Sequence, residues 1–171
     1  MQKIKIQNAR LSFPSVFKKA VFDGVETKFE ATFLLSKDEQ TGIKETIEKA
    51  AEDFLKEKFA GKAIPKGIKR TYLIDGDEKD YAGYADHWAI KATSTRRPTV
   101  VDRDRSTLYE EDDVLYAGCY VNGIISFWYS DHQKGGKQLL ANLHGVQFVK
   151  DGKAFSAGDE DVSDEFDELE D

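Results

Sequence analysis

A run of basic side chains in the middle of the chain is the strongest sign of chemistry in the sequence. It lies within IKATSTRRPTVVDRDRS, residues 90–106, and comprises Lys91, Arg96, Arg97, Arg103 and Arg105. Guanidinium groups bind phosphate oxygens through paired hydrogen bonds, so arginines concentrated on a loop suit a phosphate backbone. Each base taken alone could equally be a solvated surface charge, since two aspartates are interspersed. We expect the cluster as a whole to line an anion-binding groove.

An aromatic stretch follows the basic run and could stack on flat ligands. Asn122-Gly123 is typical of a two-residue hairpin turn, so residues 114–121 and 124–130 are predicted to pair as antiparallel strands. Both faces of this hairpin are apolar, which predicts that one face leaves rings in water. Nucleobases can cover such rings, with roughly 1 to 3 kcal/mol per base. The candidate rings are Tyr116, Tyr120 and Tyr129, with Trp128 as the competing choice.

Bases outside the central run extend the predicted site. Lys134 and Lys137 flank two glycines in a loop that adjoins the aromatic stretch, and Arg10 lies in the N-terminal strand. Cations on a flexible loop can follow a phosphate backbone, because that attraction does not depend on base sequence. These three residues are therefore included among the candidate contacts.

Enzymatic and metal-binding signatures are weak in this sequence. The acidic residues 75–86 resemble a calcium loop only superficially, since Lys79 and Asp80 stand where an oxygen ligand and a glycine are needed. The single cysteine, Cys119, excludes a four-thiolate zinc site and an internal disulfide. The three histidines are far apart in sequence: His87, His132 and His144. We expect no cofactor, no metal and no catalytic residue.

Short runs rich in Val, Ile, Phe and Tyr alternate with dipeptides typical of two-residue hairpin turns, which predicts antiparallel β structure. The four dipeptides are Asp23-Gly24, Asp75-Gly76, Asn122-Gly123 and Asp151-Gly152. Several short strands with one helix favour a small barrel, closed or half-closed, over a sandwich. The predicted strands span residues 3–13, 19–23, 26–35, 87–95, 114–121, 124–130 and 139–150.

One stretch between the third and fourth predicted strands has helical periodicity. SKDEQTGIKETIEKAAEDFLKEKFAG carries its apolar residues on one face, which predicts an amphipathic helix over about residues 37–60. Ser36 with Glu39 is a capping-box signature at its start, and Gly61 supplies a stop. The helix is expected to pack one face on the sheet.

The charge of the chain is unevenly distributed. Nine of the 32 acidic residues lie in the last 13 positions, and the remaining 158 residues carry 25 bases against 23 acids. The body is therefore mildly basic, whereas carboxylate repulsion predicts that the tail is disordered. We predict a folded domain over residues 1–158 and a disordered acidic tail over residues 159–171.

The N-terminal pattern and the lengths of the apolar runs indicate the cellular compartment of the protein. MQKIKIQNARLSF alternates charged and apolar residues, unlike a secretory signal. No window approaches the ~18 consecutive apolar residues of a membrane span. With its single cysteine, the chain is expected to be cytoplasmic.

Five blocks of the sequence stand out when they are taken together: NARLSFPSVF at 8–17, FEATFLLSK at 29–37, RRPTVVDRDRS at 96–106, YAGCYVNGII at 116–125 and LHGVQFVKDGKAF at 143–155. In this order they resemble phage-encoded single-stranded DNA-binding proteins long catalogued as a domain of unknown function. The resemblance spans essentially the whole predicted domain.

The resemblance implies an OB-fold, a five-stranded barrel with a helix, that binds single-stranded DNA without strong sequence preference and has no enzymatic activity. It also implies a role in phage DNA replication, recombination or repair, with the acidic tail competing for the DNA groove. The tail would also recruit partners such as a polymerase. Whether the chain forms a homodimer is left open by the sequence. The candidate partner-binding residues of the tail are Asp164, Glu165, Phe166, Asp167, Glu168 and Leu169.

Two other function classes stay open on the sequence alone. A metal-dependent DNA-processing enzyme such as a nuclease would use an acid-x-Lys motif, of which residues 77–79 could form half. An acidic protein-interaction module would bind no DNA at all.

Overall fold

The computed structural model describes residues 2–155 and 165–169. The described part contains ten strands and one α-helix, together with short 3-10 turns at Gly76–Glu78 and Glu110–Asp112. In chain order the elements are β1 (Ile4–Ser15), β2 (Val21–Phe22), β3 (Val25–Glu26), β4 (Phe29–Ser36), α1 (Thr41–Lys58), β5 (Lys69–Arg70), β6 (Leu73–Asp75), β7 (His87–Ser94), β8 (Thr99–Val101), β9 (Tyr120–His132) and β10 (Gly136–Lys150).

Five of the strands form a closed barrel. β1 pairs with β4 and β9, β4 pairs with β7, and β9 pairs with β10, all in antiparallel register. The ring closes where β10 runs parallel to β7, with Ala141 opposite Ala92. This arrangement confirms the mainly β, OB-fold-like barrel with one helix that the sequence predicts.

The core is formed by every second side chain along the barrel strands. Val121, Ile125 and Phe127 of β9 are buried, whereas Ile124 and Trp128 between and beside them are only half-buried. Because successive side chains of a strand point to opposite faces, one face of each barrel strand fills the interior and the other meets solvent or an outer segment.

The helix covers one end of the barrel. Ile47, Ala51 and Leu55 of α1 are buried against the core, and Phe54 lies 6.3 Å from the ring of Phe127. The predicted capping pair forms one turn early: Ser36 Oγ accepts a hydrogen bond from the Glu39 N–H before the helix begins at Thr41. The amphipathic prediction is confirmed, with a shorter helix than expected.

The predicted turn at Asn122-Gly123 is wrong, and with it the predicted strand pairing of residues 114–121 and 124–130. β9 runs straight through this dipeptide and pairs with β10 across a three-residue turn at 133–135. A Cβ on Gly123 would lie 2.4 Å from the Phe33 ring. Glycine at position 123 therefore makes room for a core ring.

Only one of the four Asn-Gly and Asp-Gly dipeptides is a two-residue hairpin turn. Asp23 and Gly24 join β2 to β3 with φ of 53° and 78°, as such turns require. Gly76 and Gly152, in contrast, lie where a Cβ would meet backbone oxygens at 2.2 and 2.3 Å. Close packing explains these two glycines.

The limit between domain and tail falls outside the described residues. Of the predicted tail, residues 165–169 are described, whereas 156–164 and 170–171 are not. No helix in the described part of the chain is long and apolar enough to cross a membrane.

Candidate nucleic-acid interface

One stretch of β10 lies beneath three adjoining grooves on the outside of the barrel. The stretch runs from Leu140 to Gln147, a length of about 24 Å at the rise of an extended strand. We call this surface the basic face, for the cations that line it: Lys3, Lys5, Lys28, Lys91, Arg96, Arg97 and Arg105.

The first groove is the largest of the three, with a volume of about 570 Å³. One wall is the loop between β7 and β8, which carries Arg96 and Arg97, and the opposite side presents Trp128 of β9. The Lys28 ammonium lies 5.5 Å from the centre of the Trp128 ring. A flat aromatic ring beside exposed cations can take both a base and its phosphate.

The second groove continues from the first on the side of Lys91. It has a volume of about 220 Å³ and shares Lys28 and Thr93 with the first groove. The third groove, about 360 Å³, continues in the other direction and shares His144 with the first. Because neighbouring grooves share side chains, the three form one continuous track.

The cations of the basic face are not paired with acids in the described part of the chain. Among residues 2–155 and 165–169, no carboxylate lines any of the three grooves, and none of the seven Lys and Arg side chains forms an ion pair. Unpaired like charges that are gathered on one surface produce a positive potential, which attracts polyanions. This face is therefore suited to a phosphate chain.

His144 lies where the first and third grooves meet. Its Nε2 is 2.7 Å from Ser126 Oγ of β9. Partial burial, and secondarily the positive charge of Lys3, lower the pKa of the His144 imidazole from its ordinary value. The ring is therefore held neutral at the centre of a cationic track.

The structure brings five of the twelve sequence-predicted contacts together on the basic face. They come from β7, the loop after it, the segment after β8, and β9: Lys91, Arg96, Arg97, Arg105 and Trp128. Trp128, the competing choice, is the aromatic residue of this set.

The three predicted tyrosines do not share a face, because the hairpin that would have aligned them does not form. Tyr129 points inward and meets the Phe59 ring edge to face at 5.2 Å. The Tyr116 hydroxyl donates to the Gly152 carbonyl at 2.8 Å. Tyr120 lies on the outer face of β9, with the Lys150 ammonium 4.8 Å from its ring. None of the three lines a groove of the basic face.

Four predicted bases also lie outside the grooves. The Arg10 guanidinium donates to the carbonyls of Gly118 and Lys153 and lies 4.2 Å from the centre of the Phe155 ring, so it holds the C-terminal segment. Arg103 donates to the Val149 carbonyl. The remaining two belong to the end of the β9–β10 hairpin: Lys134 and Lys137.

Three lysines of the basic face were missed by the sequence reasoning. Lys3 and Lys5 alternate with Ile4 and Ile6, and this period of two was a readable signal that the lysines face outward. Their position beside β9 depends on the pairing of β1 with β9, which the sequence does not reveal. Nothing in the sequence around Lys28 distinguished it from the other surface lysines.

The described residues of the tail are all exposed. Phe166 and Leu169 have 76% and 95% of their surface in solvent, whereas Asp164 lies outside the described residues. Within the described ranges, no group of three or more His, Cys, Asp or Glu side chains could hold a metal ion.

Comparisons with known proteins place the chain among phage proteins. The profile of the family described as "Enterobacter phage Enc34, ssDNA-binding protein" matches residues 2–171. A protein named p50, from Acyrthosiphon pisum secondary endosymbiont phage 1, is 38% identical over 175 residues, which cover 98% of this chain and 94% of that protein.

Solved structures give the same result. The single-stranded DNA-binding protein from bacteriophage Enc34 has a TM-score of 0.76 at 29% identity, covering 96% of this chain and 90% of that chain. The same protein in complex with ssDNA has a TM-score of 0.75 at 30% identity, covering 90% and 89%.

A more distant match shares the fold. It is gp2.5, a single-stranded DNA-binding protein encoded by bacteriophage T7, with a TM-score of 0.57 at 12% identity over 99% of both chains. The family and its structural neighbours are described as DNA-binding proteins and not as enzymes, in agreement with the sequence-based expectation.

Proposed function

The chain belongs to the family of the Enterobacter phage Enc34 ssDNA-binding protein, and from this premise we propose that it binds single-stranded DNA along the basic face, without strong sequence preference. The observation that carries the proposal is the track of seven cations along β10, with Trp128 beside it and no carboxylate among the described residues that line it. A relative of the same fold was solved in complex with ssDNA.

The mechanism combines two interactions that do not depend on base identity. Lysine and arginine side chains replace the counterions around the phosphates, and the release of those counterions favours binding at low salt. Trp128 offers a ring on which any base can stack, with roughly 1 to 3 kcal/mol per base. Neither interaction reads the hydrogen-bonding edges of a base, so the preference among sequences is weak.

Fluorescence anisotropy with labelled oligonucleotides tests the proposal. We expect tighter binding to a single strand than to a duplex of the same length, because a paired base cannot stack on Trp128. The slope of log K against log salt should be about −0.7 for each phosphate neutralised. No shift with any oligonucleotide would refute DNA binding, and degradation of the label in magnesium would indicate a nuclease instead.

The acidic tail is proposed to compete with DNA for the basic face. Residues 159–171 carry nine carboxylates, which resemble a strand of phosphates in charge. A tethered segment of this length reaches an effective concentration in the millimolar range near its own domain. Weak, nonspecific ligands are therefore displaced, whereas a long single strand displaces the tail.

Deletion of residues 159–171 tests the tail. The truncated chain should bind single-stranded DNA more tightly than the full chain, and the difference should shrink as salt rises, because charge attraction between tail and basic face is screened. Equal affinity of the two chains across a salt titration would assign the tail to solubility alone.

A released tail is further proposed to recruit proteins of phage DNA replication, recombination or repair. Phe166 and Leu169 are exposed apolar side chains among carboxylates, a combination that can fill a small apolar pocket with a basic rim. A pull-down with a phage polymerase should succeed with the full chain, be strengthened by single-stranded DNA, and fail with Phe166→Ala and Leu169→Ala together.

A further inference from the structure

A small two-stranded hairpin projects from the barrel between β1 and β4. We call residues 20–28 the arm. β2 and β3 pair only with each other, and they form a sheet separate from the barrel. The base of the arm is closed by hydrogen bonds from the Ala20 N–H to the Lys28 carbonyl at 2.8 Å and from the Thr27 N–H to the Ala20 carbonyl at 2.7 Å.

The arm exposes apolar side chains that contribute nothing to the core. Val21, Phe22 and Val25 have 65%, 77% and 64% of their surface in solvent. Burial of a phenylalanine side chain stabilises a protein, and the fold gains little of this stabilisation from Phe22, because most of the ring is in solvent. Phe22 and Val25 lie opposite each other across the two strands and share one face of the arm, whereas Val21 lies on the other face. Exposed apolar side chains that lie together mark interaction sites.

The arm is rooted in the first groove of the basic face. Lys28, its last residue, lines both the first and the second groove. On the other side of the base, the Phe17 carbonyl accepts a hydrogen bond from the Arg97 guanidinium at 3.0 Å, and Arg97 also lines the first groove. Phe22 is two residues beyond Ala20, about 7 Å along an extended strand.

We propose that the arm is a stacking finger, in which the Phe22 ring lies on a nucleobase of the strand held in the first groove; this inference rests on the proposed function. Two features support a base as the occupant. The exposed ring is flat and belongs to a hairpin whose last residue, Lys28, lines a cationic groove, and a nucleic-acid strand offers flat bases beside phosphates. Asp23 and Glu26 also lie on the arm, so its contribution comes from the ring and not from charge.

A second copy of the chain is a poorer occupant for the arm. A stable interface buries about 800 Å² on each partner. One phenylalanine supplies on the order of 200 Å²; Val25 beside it is smaller, and Val21 lies on the other face of the hairpin. The three exposed side chains therefore cover too little area for a stable dimer, whereas a single ring is enough for one base.

The test compares the full chain with its Phe22→Ala and Phe22→Trp variants on a thymidine oligonucleotide and on an abasic oligonucleotide of the same length. On thymidine, Phe22→Ala should weaken binding by about 5- to 150-fold, which corresponds to the 1 to 3 kcal/mol of one stack. Phe22→Trp should restore the affinity. On the abasic strand, the wild type and Phe22→Ala should bind alike.

Two further readouts separate a stack from other roles. The salt dependence should be the same in Phe22→Ala and the wild type, whereas Lys28→Ala should lower the slope by about 0.7. Tyr81→Ala is the matched control, because Tyr81 is another exposed ring, at 50%, outside the basic face. It should leave the affinity unchanged.

The outcomes distinguish this inference from the proposed function. If the wild type binds single strands and Phe22→Ala binds them equally well, the stacking finger is overturned while the basic face stands. If Phe22→Ala changes the sedimentation behaviour of the protein, the arm contacts another copy and the inference is also overturned. If the wild type binds no single strand, the proposed function fails and the stacking finger fails with it.

Discussion

Both tryptophans of the chain have lysine ammonium groups beside their rings, but the charges around those lysines differ. Trp88 has the ammonium groups of Lys37 and Lys44 at 4.5 and 4.2 Å from its ring, and Trp128 has that of Lys28 at 5.5 Å. On the Trp88 side the lysines are paired with carboxylates. On the Trp128 side the described residues that line the grooves include no carboxylate.

The pairing on the Trp88 side is extensive. The Lys37 ammonium bonds to Asp75 at 2.6 Å and to Asp77 at 2.7 Å, and Lys44 pairs with Glu48 at 2.6 Å. A phosphate would have to displace a fixed carboxylate from each of these lysines, whereas among the described residues no carboxylate is paired with a cation of the basic face. The two surfaces differ less in their cations than in the carboxylates beside those cations, and these carboxylates decide whether a phosphate can bind.

Neutralising the basic face should have the largest effect. Lys28→Ala, Arg96→Ala and Arg105→Ala together should weaken single-stranded DNA binding roughly 100-fold at 0.1 M salt, because each lost phosphate contact lowers the salt slope by about 0.7. A salt titration by anisotropy measures both quantities.

The matched control makes the same change of charge on the helix. Lys44→Ala, Lys49→Ala and Lys56→Ala together remove three positive charges from α1. Little change in affinity is expected. An equal loss in both triple variants would mean that net charge, and not the basic face, governs binding.

The second largest difference is expected between the two tryptophans, whose replacement should change the affinity for single-stranded DNA by amounts that differ about tenfold. Trp128→Ala should weaken binding on the order of tenfold, within the range for one stacked base, whereas Trp88→Ala should leave the affinity of the folded protein unchanged. Single-tryptophan variants supply a direct readout. Single-stranded DNA should quench the fluorescence of Trp128 in Trp88→Phe and should not quench that of Trp88 in Trp128→Phe. The reverse pattern would place the strand on the helix side.

A smaller effect is expected from pH, through His144. In the free protein the pKa of this imidazole is lowered by burial and by Lys3. Phosphate in the groove stabilises the charged form and raises the pKa, so binding takes up a proton and affinity should rise several-fold as pH falls from about 8 to about 6. The bases that share its two grooves oppose this uptake: Lys3, Lys5, Lys28, Arg96, Arg97 and Arg105.

Two glutamine variants isolate the histidine. Affinity measured against pH should lose this dependence in His144→Gln and keep it in His132→Gln, since His132 is exposed at the end of β9, away from the grooves. A pH dependence that survives His144→Gln would have to come from another group.

The smallest effect is expected on the stability of the fold, through the ion pairs of Lys37 with Asp75 and Asp77. The Lys37 ammonium, and next the Asp77 backbone N–H, lower the pKa of Asp75; the Asp86 backbone N–H, and next the Lys37 ammonium, lower the pKa of Asp77. A lowered pKa in the folded state stabilises the protein above the ordinary aspartate value of about 3.9, and that stability is lost as pH falls through the folded pKa. Urea midpoints should therefore fall more steeply below about pH 4 in the wild type than in Asp75→Asn with Asp77→Asn. Parallel curves would show that the two carboxylates contribute nothing.

The sequence predicted what depends on local pattern. The helix followed from apolar spacing, the arm turn from Asp23-Gly24, and the barrel class from short strands with one helix, supported by the resemblance. The central basic run was found because its members are close in sequence. Of its five bases, only Arg103 lies outside the grooves.

The errors came from features that only the three-dimensional packing decides. Asn122-Gly123 has the residues of a hairpin turn, but β9 stays paired with β10 on both sides of this dipeptide, and Gly123 leaves room for the Phe33 ring. The actual turn at 133–135 is followed by Gly136 with φ of 69°, a conformation typical of three-residue hairpin loops. Moving the turn separates the tyrosines and leaves Trp128 as the ring on the basic face.

The long strand β10 imposes a constraint on anyone who wishes to redesign the molecule. Its inner side chains fill the interior, its outer ones are the floor of the basic face, and its register is fixed by β5, β7, β8 and β9. A shift by one residue would exchange the two sets. Footprint and affinity are therefore adjustable only from the borders, through the loop after β7, the first residues of β1 and the arm.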